Sequence, residues 1–358
     1  IAFCAASSII VCAMLQIFLK VFLIMAVLFA FAIPGFALKK LKMLGEGSLL
    51  ALSNILLYVC QPALVIKAFC VFTKEQEEAV YSLGMLNLLA DFGVTAAISL
   101  IAVLLVFGIA KLVFIKNRDK KAADVYTYAA IFSNNGFLGV PFIEMFTDGN
   151  PLAVMYIMVF NIVFNFLSWT LGVVLITGNV KDISVKKLLL NPTIIACFIG
   201  LILFFVPQIN FFAVDGLEVL SMLPQYIAYM TAPLSMIIVG IRIAESSPKS
   251  LFLKKGVYAA GGLRLIVSPF LTLAVSVLFC LMVGGSAGAL TGARQYVFLA
   301  PVIAMAMSPA ASVVAMAERF DGDKEAATSV FVTNTLISVV VIPFIMMAVM
   351  ASWGAFAG

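Results

Sequence analysis

The chain has 358 residues, 64% of them hydrophobic and only 11% charged, with a mean hydropathy of +1.18. That composition excludes an ordinary water-soluble globular domain. Its 22 Lys and Arg outnumber 17 Asp and Glu, and the absence of histidine removes the usual general base, the commonest metal ligand and every imidazole-based triad.

A helix crossing the hydrocarbon needs ~20 largely apolar residues. Ten such runs follow one another, at 14–38, 48–72, 83–109, 126–146, 152–176, 192–213, 217–241, 256–283, 295–317 and 326–350. The pattern predicts an all-α membrane protein of ten transmembrane helices. Residues 1–13 are also apolar, but no basic stretch precedes them, so they read as an extension of the first span. The second span carries Ser53, Asn54 and Gln61, and the third carries Asp91. A charge at mid-membrane costs ~2.5 to 3.5 kcal/mol on insertion scales, so Asp91, the one carboxylate well inside a span, is the first candidate for proton coupling.

The fourth span reads Ser133-Asn134-Asn135-Gly136-Phe137-Leu138-Gly139-Val140-Pro141. Glycine is a poor interior helix residue, proline removes a donor and clashes one turn back, and Asn offers the backbone competing bonds, so this helix is expected to break. Irregular backbone survives in a membrane only where it is buried in protein or lines a polar cavity. The fifth span holds Asn161 and Asn165 at i, i+4, on one helix face. The connection 177–191 is too short for a soluble domain. The eighth span contains Arg264, placed by topology in its inner third, where the side chain could snorkel to the interface. The ninth reads Ala306-Met307-Ser308-Pro309-Ala310-Ala311-Ser312, a second break, and the tenth holds Thr333, Asn334 and Thr335. For either break alone the alternative is a packed proline kink with Asn and Ser as interhelical glue; the matched pair favours a site. Six cysteines (Cys4, Cys12, Cys60, Cys70, Cys197, Cys280) show no C-x-x-C spacing, so no disulfide framework, metal site or cofactor is expected.

Prolines repeat at a nearly constant offset: Pro34, Pro62 and Pro141 are answered by Pro207, Pro233 and Pro309 at separations of 173, 171 and 168, and Asp91 and Arg264 also lie 173 apart. YVCQP (58–62) is matched by YMTAP (229–233). This predicts two five-helix repeats, 1–179 and 180–358, of opposite orientation because each has an odd number of spans. The loops after the odd-numbered spans carry 17 of the 22 Lys and Arg. They are therefore expected to be cytoplasmic, with both termini outside a plasma (cell inner) membrane. Loop placement accounts for the net charge, so no nucleic-acid partner is implied.

Four segments resemble the auxin efflux carrier family, which includes plant PIN-FORMED transporters and prokaryotic malate or malonate permeases: LSNILLYVCQPALVIKAF (52–69), SNNGFLGVPF (133–142), NPTIIACFIGLIL (191–203) and SPAASVVAMAERFDGDKEAATSVFVTNTLIS (308–338). The resemblance runs from about residue 14 to the end. It implies a sodium/proton-antiporter-like crossover fold with broken, crossing helices four and nine. It also implies a scaffold of helices one, two, six and seven, and elevator movement of helices three to five and eight to ten. It places Asn134, seven residues before the crossover proline, against a substrate carboxylate, with Asn161 as the helix-five Asn and Pro309 at the second crossover. The chain lacks the plant members' long central loop and their acid–lysine pair in helix three.

The function expected is secondary-active or facilitative transport of a small organic anion, a carboxylate, with no enzymatic activity. Expected contacts are Asn134, Asn135, Asn161, Ser308, Ser53 and Asn334. Gly136, Gly139, Pro141 and Pro309 would shape the crossover, and Asp91 and Arg264 are coupling candidates. A proton or sodium ion is the candidate coupling partner and a homodimer the candidate assembly. The alternative is a ligand-binding membrane sensor or a channel of the same fold.

Overall fold

The computed structural model describes residues 2–212, 214, 219–246, 254–283 and 292–357, and all regular structure among them is helical. The principal helices are α1 (Cys12–Lys40), α2 (Ser48–Cys70), α3 (Met85–Phe114), α4 (Lys120–Ile131), α5 (Val140–Phe146), α6 (Pro151–Thr177), α7 (Pro192–Phe205), α8 (Val219–Glu245), α9 (Lys255–Met282), α10 (Tyr296–Ala306), α11 (Ser312–Arg319) and α12 (Lys324–Phe356). Among the described residues seven of these (α1, α2, α3, α6, α8, α9, α12) are long and apolar enough to cross a membrane, and α7 and α10 are shorter apolar helices. Their outer faces carry exposed Leu50, Leu86, Leu112, Phe198, Leu223, Leu278 and Phe344. A bundle apolar on the outside as well as within is that of an integral membrane protein.

The backbone is already helical from Ala2 onward, continuous with the first span. The sixth span is shorter than its apolar run. Its helix stops at Phe205, because Pro207 disfavours helical dihedrals at Val206, which adopts φ −124°, ψ 73°. The expected boundary between spans six and seven, 213–217, falls almost wholly outside the described residues, as does Lys249 of the basic-loop count.

Starts and bends follow local chemistry. Asn150 and Asn191, each before a proline, accept from Ala153 N at 3.2 Å and Thr193 N at 2.9 Å and so cap α6 and α7. Widened turns at Leu56–Cys60, Asn135–Gly139 and Leu263–Val267 each end two residues before a proline, respectively Pro62, Pro141 and Pro269. Opening the preceding turn relieves the clash of the ring with the carbonyl four residues back.

In packing, α1 lies on α8, α2 on α7, α3 on α4 and α9, α9 on α10, α6 on α10, and α4 on α12. The α1–α8 contact brings backbones together at two glycines. A Cβ on Gly35 would collide with the Ile237 carbonyl, and one on Gly240 with the Ala32 carbonyl. Only small residues allow that approach. Gly240→Ala is expected to destabilise the protein by about 1–3 kcal/mol, because backbone cannot step aside as a side chain can. A melting temperature unchanged from the native protein in detergent would contradict this.

Candidate functional site

Both expected breaks are present, and they touch. α4 ends at Ile131 and helix resumes at Asn135; α10 ends at Ala306 and α11 begins at Ser312. Ser133 and Pro309 form an isolated antiparallel bridge. Asn134 N donates to the Ser308 carbonyl at 2.8 Å, and Ala310 N donates to the Phe132 carbonyl at 2.9 Å. Each unwound segment thus supplies the acceptor that the other needs, which is how irregular backbone is tolerated in a membrane interior.

Beside the bridge lies a cavity of about 650 Å³. At its deep end are Asn134, Asn135, Gly136 and Asn161, with Gln61 reaching across from α2. The side-chain amino groups of Asn134, Asn135 and Asn161 are buried and have no partner among the described residues. Asn161 is oriented by Asn165, whose amino group donates both to the Asn161 side-chain oxygen and, at 2.8 Å, to its backbone carbonyl. A donor held this way with its own oxygen occupied is left to face a ligand acceptor. Gly136 makes the convergence possible: a Cβ there would sit 2.7 Å from Gln61 Nε2 and 2.8 Å from Asn161 Nδ2.

A second layer fixes the wall. The Tyr128 hydroxyl lies 2.7 Å from Ser168 Oγ and 3.0 Å from Ser312 Oγ, joining α4, α6 and α11. Gly172 leaves room for the Tyr128 ring, which would lie 2.7 Å from an added Cβ. Toward its mouth the cavity is lined by Lys186, Arg242 and Arg319. Arg242 pairs with Glu318 at 3.3 Å, and Arg319 lies over the Trp169 ring at 5.5 Å. Towards the other end of α2 and α5, Lys67 is paired with Glu144 and stacked 4.3 Å from the Tyr229 ring centroid.

The expected site residues separate into two groups. Ser53, Asn134, Asn135, Asn161 and Gly136 line the cavity, with the Ser53 hydroxyl donating to the Leu49 carbonyl at 2.8 Å. Ser308 is buried behind the bridge, contributes its carbonyl and does not line the cavity. Asn334 is not in the cavity either. Its amino group donates to the Val257 and Val330 carbonyls, both at 3.0 Å, and its oxygen packs where a Cβ on Gly261 would be. Gly139 packs near Met307 and Ile157, Pro141 lies in the first turn of α5, and Pro309 forms the bridge.

The two charged candidates do not line the cavity either. Asp91 accepts from Arg294 Nε at 3.1 Å and Nη2 at 2.9 Å, and from the Tyr156 hydroxyl at 3.2 Å. Arg264 does not snorkel: it is 0% exposed and points into the protein. Gln61, Asn165, Ser168, Ser312 and the basic mouth are among the lining residues that sequence reasoning did not assign to the site, although Gln61 and Asn165 stood out as polar residues in apolar spans.

No curated protein shows significant similarity to the chain. The family described as membrane transport protein matches residues 16–346, nearly the whole chain. The match covers far more than half of the chain, and the chain belongs to this membrane transport family, the auxin efflux carrier group whose motifs its sequence carries.

Proposed function

We propose that this transporter carries a small organic anion, a carboxylate, by alternating access between two inverted five-helix repeats. The observation that carries the reading is the set of three unpartnered amide donors, two at the break after α4 and one on α6, at the deep end of a cavity with a basic mouth. Amide N–H groups and the free N–H groups of a helix start stabilise a carboxylate without a fixed counter-charge, so the anion is bound and also released. Lys186, Arg242 and Arg319 raise its local concentration at the entrance.

The packing supports the repeat. Exchanging each helix for its counterpart in the other half turns α1 on α8 into α7 on α2, α3 on α4 into α9 on α10, and α4 on α12 into α10 on α6. The cavity mouth belongs to the loops that the positive-inside rule makes cytoplasmic. The Lys67–Glu144 pair ties α2 to α5 on the other side. The conformation therefore reads as inward-facing. Scaffold helices α1, α2, α7 and α8 would stay fixed while the rest moves as an elevator.

Counterflow in proteoliposomes loaded with malonate, malate or indole-3-acetate tests the proposal. Saturable uptake of one labelled anion, dependent on unlabelled anion inside, is expected. A sensor would bind without exchange, and a channel would pass the anion without saturation or counterflow; either result would overturn the carrier reading.

A further inference from the structure

The most unusual ionisable group in the molecule is Arg264. It is fully buried, it forms no ion pair among the described residues, and its hydrogen-bond partners do not line the cavity. It is carried on the widened turn Leu263–Val267 of α9, so its guanidinium enters the bundle beneath the helix breaks. Nη1 donates to the Ala130 carbonyl at 3.1 Å, and Nη2 donates to the Met305 carbonyl and approaches Met305 Sδ at 3.2 Å. Nε has no partner.

Ala130 and Met305 occupy equivalent places. Each is the next-to-last residue of the helix that runs into a break, α4 ending at Ile131 and α10 at Ala306. Their carbonyls have lost the acceptor role that a continuous helix would give them. The C-terminus of a helix carries roughly −0.5 elementary charge, so two such ends offset about one positive charge. A buried guanidinium without a carboxylate would otherwise be prohibitive. The planar fork can also reach two acceptors on different helices, which a point-charge ammonium does less well.

Half-helix C-terminal ends at a break are where carriers of broken-helix design coordinate a coupling cation. We propose that Arg264 is a positioning residue that takes the place of such a bound cation. It clamps the ends of α4 and α10 together and keeps the cavity side of the breaks in register, so the carrier needs no soluble cation at that position. The proposal rests on the carrier reading for its consequence in transport, but the clamp can be tested without any substrate.

The test compares the native chain with Arg264→Ala and Arg264→Lys, by thermal unfolding in detergent and by anion counterflow. Both are run in sodium, potassium or N-methylglucamine chloride at equal ionic strength, with and without millimolar guanidinium. The native melting temperature and exchange rate should be the same in all three salts. Arg264→Ala should melt lower and regain about 2 °C or more with guanidinium or sodium, as a ligand-filled site does. Arg264→Lys should melt lower than native yet stay indifferent to the added cation. A native protein that loses exchange or stability when sodium is replaced overturns the proposal. So does an Arg264→Ala protein that melts like the native one or ignores every cation, or an Arg264→Lys protein that responds as alanine does. If Arg264→Ala does not fold, native cation independence together with the indifferent lysine variant supports the clamp. If no carboxylate exchanges in any salt the carrier reading fails, and the thermal comparison still decides the role of Arg264.

Discussion

Asn134→Ala will raise the KM for anion exchange by roughly 10- to 150-fold, the equivalent of the about 1.5–3 kcal/mol that a hydrogen bond to a charged group contributes. The expected loss is confined to the ligand because the side chain and the backbone of Asn134 do separate things. Its N–H bonds the Ser308 carbonyl, and its carbonyl accepts from Leu138 N at 2.9 Å and Gly139 N at 3.1 Å. All three bonds survive in alanine, and φ −79°, ψ 47° is open to it. What is removed is the side-chain carboxamide, with its unpartnered amino group. Gly136→Ala should have a similar effect by another route. Its methyl displaces the Gln61 and Asn161 amino groups, which are ends of side chains and can yield, so the melting temperature stays near native while KM rises. Gly139→Ala, whose Cβ would meet Met307 and Ile157 at 3.2 and 3.3 Å, should do less to exchange. An unaltered KM in both Asn134→Ala and Gly136→Ala would remove the anion from this end of the cavity.

Arg294→Met is expected to cost about 3 kcal/mol or more of stability, and Asp91→Asn distinctly less. The pair is unequal in exposure, with the Asp91 side chain 7% and the Arg294 side chain 42% accessible. Removing the arginine strands a carboxylate among α3, α6 and α10 with only the Tyr156 hydroxyl for company. Removing the carboxylate charge lets Arg294 turn to solvent. Thermal unfolding of the two variants should therefore rank them in that order. The reverse order would mean that Asp91 gains most of its stabilisation from something other than Arg294. A proton-coupling role for Asp91 would also require this bidentate pair to open during transport, so exchange driven by a pH gradient should weaken in Asp91→Asn if the residue carries the proton.

What could be read from the sequence was what is local. The fold class follows from composition, and the two breaks follow from Gly, Pro and Asn placed inside apolar runs. For that reason Asn134, Asn135 and Gly136 were legible as cavity residues. Convergence was harder, because it depends on which helix faces meet. Gln61 had the same local signature as Asn334, an amide within an apolar span, yet one faces the cavity and the other satisfies backbone carbonyls on its own and a neighbouring helix. Arg242 and Arg319 counted towards topology, and nothing in their spacing revealed that they border a common opening. Arg264 defied the snorkelling rule because that rule assumes that water is the nearest compensation, whereas two helix ends lie closer.

The bridge between Ser133 and Pro309 also sets an order of events during biosynthesis. When the fourth span leaves the ribosome, the acceptor for Asn134 N–H has not yet been made. At 5–20 residues per second Ser308 follows about 10 to 35 s later. For that interval the native acceptor of the Asn134 N–H is missing, so the break can take its final, mutually bonded form only when the second half arrives. Each half is thus the template on which the other closes.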